Sequence, residues 1–152
     1  HDKTLHAIRS GFTLSQFEQA VSDLHKRNIP VITHLILGLP GETKEDMLSS
    51  VRYVGSLPVT GIKLQLLHIL KGTDLGTAYM ADPFPLFTLE EYCDLIADCI
   101  ALLPPEIVIH RLTGDGPRNL LLAPLWSTDK KRVLNTIQKC LRERDLWQGK
   151  NI

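Results

Sequence analysis

The stretch Thr33-His34-Leu35-Ile36-Leu37-Gly38-Leu39-Pro40-Gly41-Glu42-Thr43 decides how this chain is read. A short apolar run stops at Gly-Leu-Pro-Gly, and an acidic residue and a helix-capping Thr follow. This is the pattern of a buried strand whose carboxyl end opens into a tight turn and then a helix. In parallel α/β folds, ligands bind at that end of the strand. Gly38 and Gly41 permit the positive φ or close backbone approach that such a turn needs.

Working outward, the flanks alternate helix and strand. Thr13-Leu14-Ser15-Gln16 fits a capping box, and Leu14, Phe17, Val21 and Leu24 recur at helical spacing. Asn28 and Pro30 end that helix. Thr43 caps a second helix with Glu45 and Asp46 in its first turn and an apolar stripe of Met47, Leu48, Val51 and Val54. Thr88-Leu89-Glu90-Glu91 repeats the capping logic, with Tyr92, Leu95, Ile96, Cys99 and Leu103 as the buried face. A fourth helix is predicted from Ser127 or Thr128, burying Val133, Leu134, Ile137 and Leu141. Between them lie apolar runs of strand length at Val31–Leu37, Gly61–Leu70 and Ile107–Leu112. Strands alternating with helices predict βαβ units and a parallel sheet, and near-continuous apolar character predicts strands covered on both faces. Too few strands are present to close a barrel. The fold class read here is therefore α/β, a partial (β/α) TIM-like barrel. Two long loops, Lys71–Phe87 and Thr113–Ser127, follow strand ends, where a parallel sheet places its site.

Composition sets the outer bounds. The chain has 152 residues, one domain in size, with 17 Lys+Arg against 17 Asp+Glu. It carries no overall basic bias toward nucleic acid and no acidic tail. No apolar run approaches the roughly 20 residues that span a bilayer, and no signal peptide is visible. The first residue is His1 rather than Met, which suggests a segment whose natural beginning lies upstream. Cys93, Cys99 and Cys140 are odd in number, widely spaced and set in apolar helical patterns. They read as buried thiols of a reducing, cytoplasmic compartment rather than a disulfide framework.

The motif Ile36-x-Gly38-x-x-Gly41-Glu42, followed by Thr43 and an acidic helix start, resembles the fifth-strand motif of radical S-adenosylmethionine (SAM) enzymes. The resemblance is to the branch holding the Elongator catalytic subunit and oxygen-independent coproporphyrinogen oxidase. Leu5-x-x-Ile8-Arg9-Ser10-Gly11 looks like the segment preceding that strand, and His68-Ile69-Leu70-Lys71-Gly72-Thr73 like the end of the sixth strand. Ala123-Pro124-Leu125-Trp126-Ser127 with Lys130-Lys131-Arg132-Val133-Leu134-Asn135 is similar to the tail of a bacterial group of Elongator-like radical SAM proteins. The resemblance covers nearly all of the chain. It implies that residues 1–152 are the carboxyl-terminal half of such a barrel, with the cluster-binding half upstream.

The resemblance also implies the chemistry and the site. SAM and a [4Fe–4S] cluster are the cofactors, and the 5′-deoxyadenosyl radical abstracts hydrogen from substrate. The family's three-cysteine loop is absent from this sequence. The cluster ligands are therefore expected outside it, no metal ligand is assigned within it, and the segment alone is expected to be inactive. Cofactor-binding roles fall by resemblance on Arg9, His34, Ile36, Gly38, Gly41, His68 and Leu70, with Arg9 facing the SAM carboxylate as a bidentate guanidinium. Arg111 and Asp115 are expected as substrate-facing, catalytic residues, framing with Arg118 the Thr113-Gly114-Asp115-Gly116-Pro117 turn after the last strand. Glu42 reads either as a ligand contact or as a carboxylate favouring the helix dipole, and Trp126 as packing. The branch includes tRNA wobble-uridine modifiers, so tRNA or another RNA is the implied partner. Lys130, Lys131, Arg132, Lys139, Arg142 and Arg144 read chiefly as a solvated helix face, with a tRNA-facing patch as the other reading. Two further readings stay open: a non-radical (β/α) enzyme binding a phosphate or carboxylate at the strand ends, and a cofactor-free interaction module. An open sheet edge exposes unpaired backbone groups, so the isolated chain is expected to form a homodimer.

Overall fold

The structure, a computed structural model, describes residues 1–114 and 116–152. The elements run α1 (Asp2–Ala7), α2 (Leu14–Lys26), β1 (Ile32–Leu37), α3 (Lys44–Gly55), β2 (Gly61–Leu66), β3 (Ile69–Leu70), α4 (Asp74–Ala81), α5 (Leu89–Ala101), β4 (Val108–Arg111), β5 (Leu121–Ala123), a 3-10 turn (Leu125–Thr128) and α6 (Lys130–Glu143). Strands β1, β2 and β4 form a parallel sheet in the order β1-β2-β4, and β3 pairs antiparallel with β5.

Local chemistry sets the helix starts. Thr13, Thr43 and Thr88 each accept from the backbone N–H three residues on. The Gln16, Asp46 and Glu91 side chains return the bond, completing three capping boxes. The fourth predicted helix starts later than its sequence suggests. Leu125–Thr128 turn as a 3-10 segment, and Asp129 caps α6 by accepting from Arg132 N–H at 3.0 Å. The helices α1 and α4 were not expected. Neither carries an apolar stripe long enough to show a period, and α4 rests on Thr73, whose hydroxyl accepts from Gly76 N–H at 2.9 Å.

The core lies between one face of the sheet and the helices. Leu37, Ile62, Leu64 and Leu66 point to the same buried cluster as Val51 and Val54 of α3, Leu95, Ile96 and Cys99 of α5, and Val133 and Ile137 of α6. Each such side chain contributes about 1.5–3 kcal/mol on leaving water. The expectation of strands covered on both faces is corrected. Ile32 and Ile36 of β1 and Val108 of β4 are 42%, 40% and 57% exposed on the alternate face. Polar Lys63 and Gln65 interrupt β2 at the same period, so this run is two-faced rather than uniformly apolar. The run Gly61–Leu70 also breaks. After Leu66 the chain leaves the sheet, and Ile69 and Leu70 pair instead with Ala123 and Leu121. The architecture shown is thus mixed α/β with a three-stranded parallel sheet.

Tyr92 is fully buried, and its hydroxyl donates to Leu112 O at 3.0 Å, tying α5 to the chain just past β4. Burial holds its phenol well above the usual range. Tyr92→Phe leaves that carbonyl without its partner and is expected to cost about 1–2 kcal/mol in urea unfolding. An unchanged midpoint would show that the bond contributes nothing.

Candidate functional site at the carboxyl end of the sheet

The turn after β1 is built as its sequence suggests. Gly38 and Gly41 have φ of +89° and +82°, in the region that favours glycine. At Gly38 a Cβ would stand 3.1 Å from the Phe87 ring, so the strand end and the 84–87 segment approach through the missing side chain. Gly38 N–H donates to Met47 Sδ at 3.1 Å, and Glu42 N–H closes the turn on Leu39 O at 3.1 Å. Above the turn lies a cleft of about 520 Å³, bounded by Leu66, Leu67 and Phe84–Phe87. Glu42 lines it, and burial raises its carboxyl above the usual carboxylate range. Trp126 serves as packing: its indole N–H donates to Phe87 O at 2.9 Å, and its ring lies 5.7 Å from that of Tyr92.

The uncovered face of the sheet carries a second feature. In the strand register His34 stands opposite Lys63, and Lys63 opposite Arg111. A bulge in the β2–β4 pairing brings Arg111 to that level. One imidazole, one ammonium and one guanidinium therefore cross three strands in line, with Ile36 two residues further along β1. The His34 pKa is lowered by desolvation first, then by the charges of Lys63 and Arg111. At neutral pH the row is two cations and a neutral imidazole, a donor set suited to a carboxylate or phosphate. Lys63 was not singled out in the sequence. Its only signal was a polar residue at alternate spacing in an otherwise apolar strand.

The remaining expected residues are dispersed. Arg9 (φ +54°) pairs with Asp74 of α4 at 3.0 Å, both side chains more than 80% exposed. His68 lies where a Cβ at Gly114 or Gly116 would come within 2.5 and 2.6 Å of its ring. It shares a cavity of about 170 Å³ with Arg118 and Lys130, apart from the Gly38–Gly41 cleft. Leu70 is half-buried in β3, and its carbonyl accepts from Thr73 Oγ1 at 2.8 Å. Asp115 lies outside the described residues.

The thiols do not suit an iron–sulfur cluster. Cys93 and Cys140 are buried where α5 meets α6, and Cys99 is buried in the core. Burial pushes the Cys93 and Cys99 thiols up to about 12, and raises Cys140, which donates to Asp94 Oδ1 at 3.0 Å. Among the described residues no group of three or more His, Cys, Asp or Glu could hold a metal ion. Nor is any helix among them long and apolar enough to cross a membrane.

The family described as Radical_SAM C-terminal domain matches residues 59–143. The uncharacterized protein YtqA of Bacillus subtilis (strain 168) is 37% identical over 150 residues, covering 99% of this chain and 47% of YtqA. The protein named tRNA uridine(34) acetyltransferase of Dehalococcoides mccartyi (strain CBDB1) is 26% identical over 147 residues, covering 91% of this chain and 32% of that protein. The solved structure of the archaeal Methanocaldococcus infernus Elp3 with an N-terminal deletion matches with a TM-score of 0.80 and 17% identity. It covers 97% of this chain and 35% of that one, a likeness of fold. The chain spans about half the length of YtqA.

The electrostatics of the row give a titration test. His34 is expected to titrate below about 6.5 by NMR, and to move upward in Lys63→Met or Arg111→Met. Since its folded pKa lies below the unfolded one, the folded state binds fewer protons between the two values. The His34 contribution to stability is therefore present above that window and lost as pH falls through it. A midpoint unmoved by both substitutions would deny that the three side chains share one field.

Proposed function

The chain belongs to the Radical_SAM C-terminal domain family, and on that premise we propose that it forms the cofactor- and substrate-facing wall of a radical SAM enzyme acting on RNA. The iron–sulfur cluster would be held by a part of the full-length protein outside these residues. The carrying observation is the row His34, Lys63 and Arg111 on the uncovered sheet face, midway along β1, the strand that leads into the Gly38–Gly41 turn. The donor chemistry fits SAM: Lys63 and Arg111 would hold its carboxylate, and neutral His34 would exchange a hydrogen bond without adding charge. Ile36 would offer an apolar surface to the adenine, and the glycine turn would let backbone approach the ligand. When bound, SAM and the cluster supply hydrogen-atom abstraction; this chain binds, orients and excludes water.

Arg9 fits the same reading. Its pair with Asp74 is exposed, and exposed pairs contribute about 0–1 kcal/mol. Exchanging Asp74 for a ligand carboxylate therefore costs little, which makes Arg9 the alternative to Lys63 and Arg111 as holder of the SAM carboxylate. Arg111, the last residue of β4, is proposed to serve the substrate as well, with Asp115 as its companion in sequence. RNA as the substrate class is supported by likeness to the protein named tRNA uridine(34) acetyltransferase.

The test uses the full-length protein, reconstituted without oxygen. SAM binding by calorimetry and release of 5′-deoxyadenosine are expected in the wild type. Lys63→Ala and Arg111→Ala, each alone, are expected to weaken SAM binding by about 10-fold to 100-fold, the range of one lost charged hydrogen bond. Full-length protein that binds no SAM would refute the reading.

The outer edges of β1 and β4 carry the same proposal for the isolated chain. Strands from outside these residues would cover them in the full-length protein. Alone, two copies are proposed to pair there, giving a dimeric mass in light scattering. A monomer at all concentrations would overturn that.

A further inference from the structure

Charge in this chain is balanced overall but not in space. Residues 130–152 hold seven Lys and Arg against two acids, in a chain with 17 of each. Five of those cations lie on α6, whose buried residues are Val133, Ile137 and Cys140. The opposite side carries Lys131, Arg132, Lys139 and Arg142, all exposed, interleaved with Asn135, Thr136 and Gln138. Among the described residues no ion pair engages Lys131, Arg132 or Arg142. Lys139 makes only a loose 3.7 Å pair with Glu143. Asp129 is occupied in capping the helix. The acids of α5 that face α6, Asp94 and Asp98, are taken by Arg144, and Asp98 also by Lys44.

The cationic face is continuous with the open sheet. Lys131, Arg132 and Lys139 line one shallow groove of about 460 Å³. The next groove, about 340 Å³, runs from Lys130 and Leu134 past Gly114 to His110 and Arg111. Arg111 is the end of the row that continues through Lys63 to His34. We propose that the cationic face of α6, with Lys130 and Arg111, is a phosphate-binding track that leads an RNA strand to the open face of the sheet. It rests on the RNA-directed reading above and names the surface that would carry it.

Two features favour nucleic acid over other anionic partners. The residues between the cations are mostly amides and hydroxyls, which bond phosphate and ribose oxygens; Leu134, 42% exposed, is a lone apolar side chain there, short of the row of anchors by which a helix enters a membrane surface or grips a peptide. Its length also fits. Fourteen residues of helix span about 21 Å, enough to follow several successive phosphates of one strand.

The experiment measures binding of an unmodified tRNA transcript to the full-length protein over a salt series. The variant is Lys131→Ala/Arg132→Ala/Lys139→Ala, substitutions that an exposed helix face tolerates. About 10-fold weaker binding is expected, with the slope of log K against log salt shallower by about two. SAM affinity should be unchanged, and Lys131→Arg/Lys139→Arg should retain binding. The same affinity and slope in the triple variant would overturn the track even where SAM binds normally. Loss of RNA binding in a protein that binds no SAM would uphold the track and reject the radical SAM reading. Tighter binding of a polyglutamate peptide than of tRNA would overturn RNA as the partner.

Discussion

Everything at the proposed site depends on the two-residue period of the parallel sheet. Successive side chains of a strand must point to opposite faces. Once Leu37, Ile62, Leu64 and Leu66 are committed to the helix-covered core, Ile32, His34, Ile36, Lys63 and Gln65 have only the other face to occupy. Slipping one strand by one residue would bury Lys63 and expose Leu64, exchanging apolar burial for a desolvated ammonium. The register that holds the cationic row is therefore fixed by the core beneath it. The row needs no packing of its own, which leaves its groups exposed enough to meet a ligand.

The same division of labour separates the thiols from the cations. The cysteines contribute as small buried groups, Cys93 and Cys140 where α5 meets α6 and Cys99 in the core, and burial disfavours the thiolate that a metal needs. The cations of α6 are on the far side of that helix, held out by the residues that bury it. A helix with Val133, Ile137 and Cys140 on one side can carry its charges only on the other. The packing that closes the core thus also concentrates positive charge on the outer face of α6.

What was legible in the sequence was local. The three Thr capping boxes close over three residues each, so they could be read directly and they fold as read. The Gly38–Gly41 turn is local in the same sense. The helix α4 was hidden because eight residues with an interior glycine show no apolar period. The β3–β5 ladder joins Ile69 to Ala123, a contact that no window of sequence contains. Lys63 beside Arg111 was illegible for the same reason, compounded by a bulge that shifts the pairing by one residue. Family likeness named Arg9 and His68, but the partners they hold here, Asp74 for one and the glycines at 114 and 116 around the other, are tertiary facts.

The sequence features thus divide by range, and so does the chemistry proposed for them. The glycine turn is a short-range device, fixed by its own φ angles. The cationic row is a long-range device, fixed by two strand pairings. A ligand bridging the two would sense both the strand end and the sheet register. Its affinity would then depend on the packing of α3 and α5 against the opposite face as much as on any group it touches. That coupling is the physical reason to expect core substitutions behind β1 and β2, such as at Leu37 or Leu64, to loosen ligand binding before they unfold the chain. A rigid scaffold supplies the positioning, and exposed side chains supply the charge.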